Sequence, residues 1–193
     1  MKNEKNDRTC EHEFVLVLDG VEELGPMVMN ALYEADCGDA TPSVRYGRVC
    51  LTFAREAASL KDAILSAIRD VKRAGIGAET LNVDSCNLVS QADIARRIRR
   101  TRQQVGQYVS GTRGPGNFPS PVCDLAEGRP LWQWCEVSFW LWRNAIVEED
   151  VLNDSRVVAV VNSALELLHQ RRHDSSLVDE VLQLVGGSAW IPA

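Results

Sequence analysis

The sequence predicts an α+β chain in three parts. Three observations carry this. Strand-like and helical patterns interleave over the first 84 of 193 residues, a basic stretch with two helix-cap signals follows, and two amphipathic helical patterns come last.

Residues 1–12 are polar and mixed in charge, and read as a disordered start; they hold no apolar stretch of the kind a secretory signal needs. Residues 13–18, EFVLVL, are β-branched and aromatic enough to predict a strand. Asp19-Gly20 marks a turn. A helix is expected over 21–35, where Val21, Leu24, Val28, Leu32 and Ala35 recur at steps of three and four, with Pro26 in an early turn. Residues 43–46 and 49–53 flank Gly47-Arg48 and predict a tight hairpin. Ser59 caps a second helix over 60–73, with Ala63, Ile64, Ala67 and Val71 on one face. Gly75 and Gly77 stop it, and 79–83 is a final strand. The order βαββαβ over 13–84 predicts a ferredoxin-like domain. This segment has no paired carboxylates, no Gly-rich phosphate loop and no cluster of metal ligands. A dimerisation domain and a small-ligand sensing domain both fit, because this fold hosts many roles. Residues 84–88 read as a linker.

The net charge is −6, which taken alone argues against a nucleic-acid partner. Its distribution reverses that. Residues 90–145 carry eight Lys and Arg against four Asp and Glu, while both flanks are acidic. A basic centre between acidic flanks leaves one face favourable to a polyanion. Within it, residues 90–111 read SQADIARRIRRTRQQVGQYVSG. Ser90 caps a first helix whose inward stripe is Ala92, Ile94, Ala95 and Ile98. Arg99-Arg100 make the turn, and Thr101 caps a second helix over 102–110 with Val105, Tyr108 and Val109 inward. Gly111 ends it. Two short helices joined by a tight turn, with small Ala95 at the crossing, form a helix-turn-helix.

That arrangement turns Arg102, Gln103, Gln104, Gly106 and Gln107 outward or sideways on the second helix. Arg and Gln can make bidentate contacts to guanine and adenine, and Gly106 would let the backbone approach a groove. Ser90, Gln91, Arg100 and Thr101 complete the candidate surface, and Arg96, Arg97, Arg99 and Arg100 suit phosphates. The implied partner is double-stranded DNA.

The segment resembles the helix-turn-helix of bacterial and phage repressors, in the pattern Ser/Thr-Gln-x-x-hydrophobic-Ala through Val-x-x-Tyr-hydrophobic-Ser-Gly. It departs at Arg99, where those proteins usually carry Gly. The following residues, from Gly111 to Leu141, resemble the second half of winged modules in phage AlpA-like regulators, excisionases and the MerR superfamily. Phe118, Pro119, Pro121, Val122, Gly128, Arg129, Trp132 or Trp134, Glu136, Val137, Trp140 and Leu141 carry that resemblance. It covers residues 88–143 and implies a winged helix-turn-helix with a hairpin wing.

In the residues themselves, Gly111, Gly114 and Gly116 predict a flexible loop bearing Arg113, and 125–129 the wing tip. Arg113 and Arg129 are placed to reach a phosphate or the minor groove. Trp132, Trp134, Phe139, Trp140 and Trp142 read mainly as core. Residues 144–153 read as an acidic connector. Beyond it, Asp154 or Ser155 caps a helix over 156–173, and Ser175 or Ser176 starts another over 177–185 that Gly186-Gly187 ends. Together 154–187 predict a dimerisation or packing segment whose apolar faces need a partner, a homodimer being the expected one. The tail carries Trp190-Ile191. His169 and His173 stand four apart, but no acid or Cys completes a metal set, and they read as a cationic helix end. The six cysteines show no CxxC pair and read as reduced, mostly buried thiols. No cofactor, metal or membrane span is expected, and no hydrolase or transferase constellation is visible. The expectation is thus a cytoplasmic, non-enzymatic, sequence-specific DNA-binding regulator. A DNA-binding adaptor or antitoxin-like part of a phage-defence system, holding a protein partner through its terminal parts, and an excisionase-like architectural factor are the alternatives.

Overall fold

The computed structural model describes residues 9–83 and 86–186. The chain is mixed α+β and divides into two compact units. One comprises residues 1–84 with 160–193, the other residues 85–159.

The first unit is built on a four-stranded antiparallel sheet in the order β2-β3-β1-β4. β1 (Cys10–Asp19) lies beside β3 (Arg48–Ala57), with Phe14 opposite Phe53, Leu16 opposite Leu51 and Leu18 opposite Val49. This register puts six apolar side chains on one face, all buried, and the two Phe rings stack at 5.1 Å. Each such burial contributes about 1.5–3 kcal/mol. α2 (Leu60–Arg73) adds Ala63, Ile64, Ala67 and Val71 to the buried set. Its bounds are those the sequence predicts, because Ser59 accepts the Asp62 amide as N-cap. β4 (Glu79–Val83) pairs with the other side of β1, with a bulge opposite the Val17-Leu18 step.

Several boundaries differ from expectation. β1 begins at Cys10, so the last residues of the expected disordered start are strand. Cys10, Glu11 and His12 pair with Ala57, Glu56 and Arg55, and the partner strand extends β1 past its own apolar pattern. Residues 1–8 lie outside the described ones. α1 (Pro26–Glu34) starts at Pro26 rather than at residue 21, because Pro at N1 supplies a pre-set φ and its missing N–H would have been unpaired anyway. The hairpin between β2 (Ala40–Arg45) and β3 turns on Tyr46-Gly47, one residue earlier than expected; both have positive φ, 51° and 78°, as a two-residue I′ turn requires.

Arg55 is the one charged side chain on the buried face of β3. Its guanidinium bonds Asp39 twice (2.7 and 2.9 Å), Asp70 (2.7 Å), Ser66 (3.1 Å) and the Asp36 carbonyl (2.8 Å). It thereby joins the segment after α1 to α2.

In the second unit, β5 (Leu88–Val89) pairs with β6 (Trp132–Gln133), so Leu88 belongs to a strand and not to a linker. Asp84 and Ser85, also read as linker, lie outside the described residues. α3 (Gln91–Arg97), α4 (Arg102–Val109) and α5 (Trp134–Arg143) surround a core of Ile94, Ala95, Val105, Trp132, Trp140 and Leu141, among others. The aromatic cluster divides. Trp132, Trp134 and Trp140 are buried, but Phe139 and Trp142 stay 40% and 38% exposed on the outer face of α5.

α6 (Glu149–His173) starts within the expected acidic connector. Glu149 and Asp150 suit the positive end of a helix, and Leu152, Ser155 and Val158 bury at steps of three. Ser155 shares a 2.6 Å hydroxyl contact with Ser138 of α5. The expected apolar face from Val157 to Leu168 is only half-buried or exposed. In the first unit Asn162 spans the end of β4, accepting the Val83 amide at 2.7 Å and donating to its carbonyl at 3.0 Å. α7 (Ser175–Gly186) is capped by Asp174, which accepts the Leu177 amide at 2.9 Å, rather than by a serine. α7 runs through Gly186 and buries no residue. Gly187, Trp190 and Ile191 lie outside the described residues. Only Cys37 and Cys50 are buried; Cys10, Cys86 and Cys123 are exposed, so the expectation of mostly buried thiols fails. All six thiols are free. No described helix is long and apolar enough to cross a membrane.

Candidate nucleic-acid interface

The paired helices α3 and α4 owe their positions to local chemistry. Ser90 accepts the Asp93 amide (3.2 Å) while the Asp93 carboxylate takes the Ser90 amide (3.0 Å) and hydroxyl (2.7 Å), a reciprocal cap. Those bonds hold the Asp93 carboxyl below its ordinary pKa, the Ser90 hydroxyl first and its backbone second. At the other end, the Arg100 amide reaches the Ala95 carbonyl (2.9 Å) and the Arg99 amide the Arg96 carbonyl (3.3 Å). That is a Schellman closure, whose C′ residue must be left-handed. Arg99 holds that position with φ 53°. The turn therefore has the backbone that Gly usually supplies, built with an arginine. Thr101 then caps α4 by accepting the Gln104 amide at 3.2 Å.

The buried sides of the two helices are Ile94, Ala95, Val105 and Tyr108, as expected; Ala92 is exposed and leaves the stripe. Arg99, Arg100, Arg102, Arg113 and Arg129 are all exposed, and none forms an ion pair among the described residues. Two of the arginines assigned to phosphates are otherwise engaged. Arg96 pairs with Asp93. Arg97 lies over the Trp134 ring at 4.9 Å and donates to the Cys86 carbonyl at 2.8 Å, and burial lowers its pKa. Arg97 is a packing residue of the unit rather than a free cation.

On α4, Arg102 and Gln103 are exposed, and Gly106 and Gln107 half-buried. Gln104 donates its side-chain amide to the Tyr108 hydroxyl at 2.8 Å, so that group already has a partner. A Cβ on Gly106 would meet only Gln91 Oε1, at 3.8 Å, which is ordinary contact. Helix packing therefore does not demand glycine there.

The expected wing residues fall in two places. Val122 and Leu131 bond across a short antiparallel pairing, the Val122 amide reaching the Leu131 carbonyl at 2.8 Å, and the tip runs through 125–128 with Arg129 just after it. The groove beside this hairpin, about 700 Å³, is lined by Ser90, Gln91, Arg102, Asp124, Gly128 and Arg129, among others. The structure thus brings together Ser90, Gln91, Arg102 and Arg129 from three separate stretches of sequence. Arg113 lies elsewhere, its amide bonding the Gln107 carbonyl at 3.3 Å. Its loop is mostly exposed but touches the core at two points. Gly114 abuts Tyr108, where a Cβ would come within 2.9 Å of the ring, and its φ is 95°. Trp140 Nε1 donates to the Gly116 carbonyl and Trp132 Nε1 to that of Pro119, each at 2.9 Å.

One feature of this unit escapes notice in the sequence. Arg143 and Arg156 flank the exposed Phe139, with the Arg156 guanidinium 5.6 Å from its ring centre. The step of four from Phe139 to Arg143 is a readable signal, but that Arg156, thirteen residues further on, joins it is seen only in the structure. Among the described residues no group of three or more His, Cys, Asp or Glu could hold a metal ion; His169 and His173 meet edge to face at 4.7 Å. No family model matches the chain, and comparison with curated proteins and with solved structures finds no match.

Proposed function

We propose that the chain is a sequence-specific double-stranded DNA-binding protein that regulates transcription in the cytoplasm, with residues 88–143 acting as a winged helix-turn-helix. The observation that carries this reading is a capped helix pair whose turn and second helix carry Arg99, Arg100 and Arg102, exposed and without ion pairs among the described residues, with Arg129 lining the same groove as Arg102. In water, unpaired guanidiniums at this density repel one another, and a row of phosphates relieves the repulsion. Arg102, Gln103 and Gln107 on α4 would read base edges; Arg99, Arg100, Arg113 and Arg129 would hold the backbone. The hairpin at 122–131 supports the wing. In the other unit, the strand order β2-β3-β1-β4 with helices after β1 and β3 supports a ferredoxin-like reading. The uncovered apolar residues of α7, Leu177, Val181, Leu184 and Val185, support a homodimer.

Footprinting on the DNA upstream of the protein's own coding sequence, together with selection from random duplexes, tests this. A defined protected site is expected. Replacing Arg102 and Gln107 by Ala should cost about 1–3 kcal/mol per base contact and relax the site's sequence. Unchanged specificity in that variant would place the recognition surface elsewhere.

A further inference from the structure

A cleft of about 660 Å³ opens on the second unit, lined by none of the residues assigned to DNA. One wall is α5, with Glu136, Phe139, Trp140 and Arg143; the other is the loop at 115–119, and Arg156 of α6 also lines the cleft. We propose that this cleft binds a small planar aromatic carboxylate.

Its volume lies in the range of small-molecule sites, which are apolar surfaces carrying a few convergent polar groups. Phe139 is a large aromatic left 40% exposed, although the same helix buries Trp134 and Trp140. The Trp140 ring is held by its bond to the Gly116 carbonyl, so the two walls are fixed against each other. A flat ring finds aromatic and proline surface there, in the offset or edge-on geometry aromatic pairs prefer. The charge is equally selective. The lining carries two cations, Arg143 and Arg156, against one carboxylate, Glu136, and neither arginine forms an ion pair among the described residues. The excess of one positive charge favours a monoanion. The guanidinium fork matches a carboxylate in two parallel hydrogen bonds. Arg156 already lies over the Phe139 ring, so a ligand ring beside Phe139 carries its carboxylate toward that cation.

The test uses the full chain labelled with nitrogen-15, following the Trp140 indole N–H while titrating benzoate, 1-naphthoate and indole-3-acetate. Indole-3-acetamide serves as the neutral counterpart and acetate as the ringless anion. At least one aromatic acid should saturate with a Kd near or below about 1 mM, the affinity ordinary efficiency gives a ligand of that size. The amide and acetate should bind about tenfold more weakly or worse. The double variant Arg143→Gln, Arg156→Gln should bind the acid no better than the amide. Both side chains are exposed, so its fold should be kept, and tryptophan fluorescence verifies that. The proposal is overturned if no aromatic acid saturates by about 10 mM, well above the expected range. Equal affinity for acid and amide, or an unaltered double variant, would overturn it too. Displacement of the acid by a DNA duplex would assign the two arginines to phosphates and overturn it as well. The outcome does not depend on whether α4 reads DNA.

Discussion

Replacing Arg99 by Gly should make the protein more stable and a weaker DNA binder at once. Arg99 sits at φ 53° in the turn that closes α3, exposed and without an ion pair among the described residues. For a residue with a Cβ the left-handed conformation costs about 1–2 kcal/mol. Glycine removes that cost but adds about 0.4–1 kcal/mol of unfolded-state freedom. The net gain is about 0.5–1 kcal/mol, since the Schellman bonds are backbone bonds and survive the substitution. For a unit of this size that is a rise in Tm of about 2–8 °C. Tryptophan fluorescence is a suitable monitor, because four of the five tryptophans lie in residues 85–159. The same variant loses one phosphate contact, so the slope of log K against log salt should fall by about 0.9. A lower Tm would refute the strain argument. A stabilised variant with an unchanged salt slope would remove Arg99 from the DNA interface.

Other outcomes follow from the same geometry. Arg55→Met leaves Asp39 and Asp70 without their buried cation and should destabilise the first unit by about 3–5 kcal/mol, read by urea denaturation. Ser90→Ala removes the reciprocal cap and should cost about 1 kcal/mol. Because the native Asp93 pKa is depressed, its contribution is present above the unfolded value of about 3.9 and is lost as pH falls through the native one. The acid limb of stability against pH should therefore be shallower in Ser90→Ala than in the parent. Thiol labelling of the native protein should modify Cys10, Cys86 and Cys123 first. Cys37, its pKa pushed up to about 11 mainly by burial, should react only on unfolding, as mass mapping would show.

The sequence made elements legible where local chemistry sets them. α2 is bounded by a serine cap and a glycine stop, and both bounds were readable. The helix pair at 91–109 was readable for the same reason, through Ser90, Thr101 and Gly111. The left-handed closures of α1 and α5, built without glycine, were not. α1 and α5 close as α3 does, with Asp36 at φ 63° and Ala145 at φ 53° in the left-handed position. No composition rule marks an alanine there. The start of α6 was hidden by charge: Glu148, Glu149 and Asp150 look like a connector until Leu152, Ser155 and Val158 are seen to bury. The candidate interface was legible as a list of residue types. Which of them share a groove, and that Arg97 and Gln104 are already bonded within the unit, depended on contacts between distant stretches of chain.

The division of the chain inside α6 has a consequence for cutting it. Residues 85–159 are held by two covalent strands, one at 84–85 and one along α6, and the first unit is completed only by residues beyond 160. A protease that nicks the first connection leaves a single particle on native electrophoresis. Release of the middle segment requires a second scission within a continuous helix. A truncation after residue 84 discards the residues that bond Val83 and Glu79, so shortened chains should end neither there nor at residue 143.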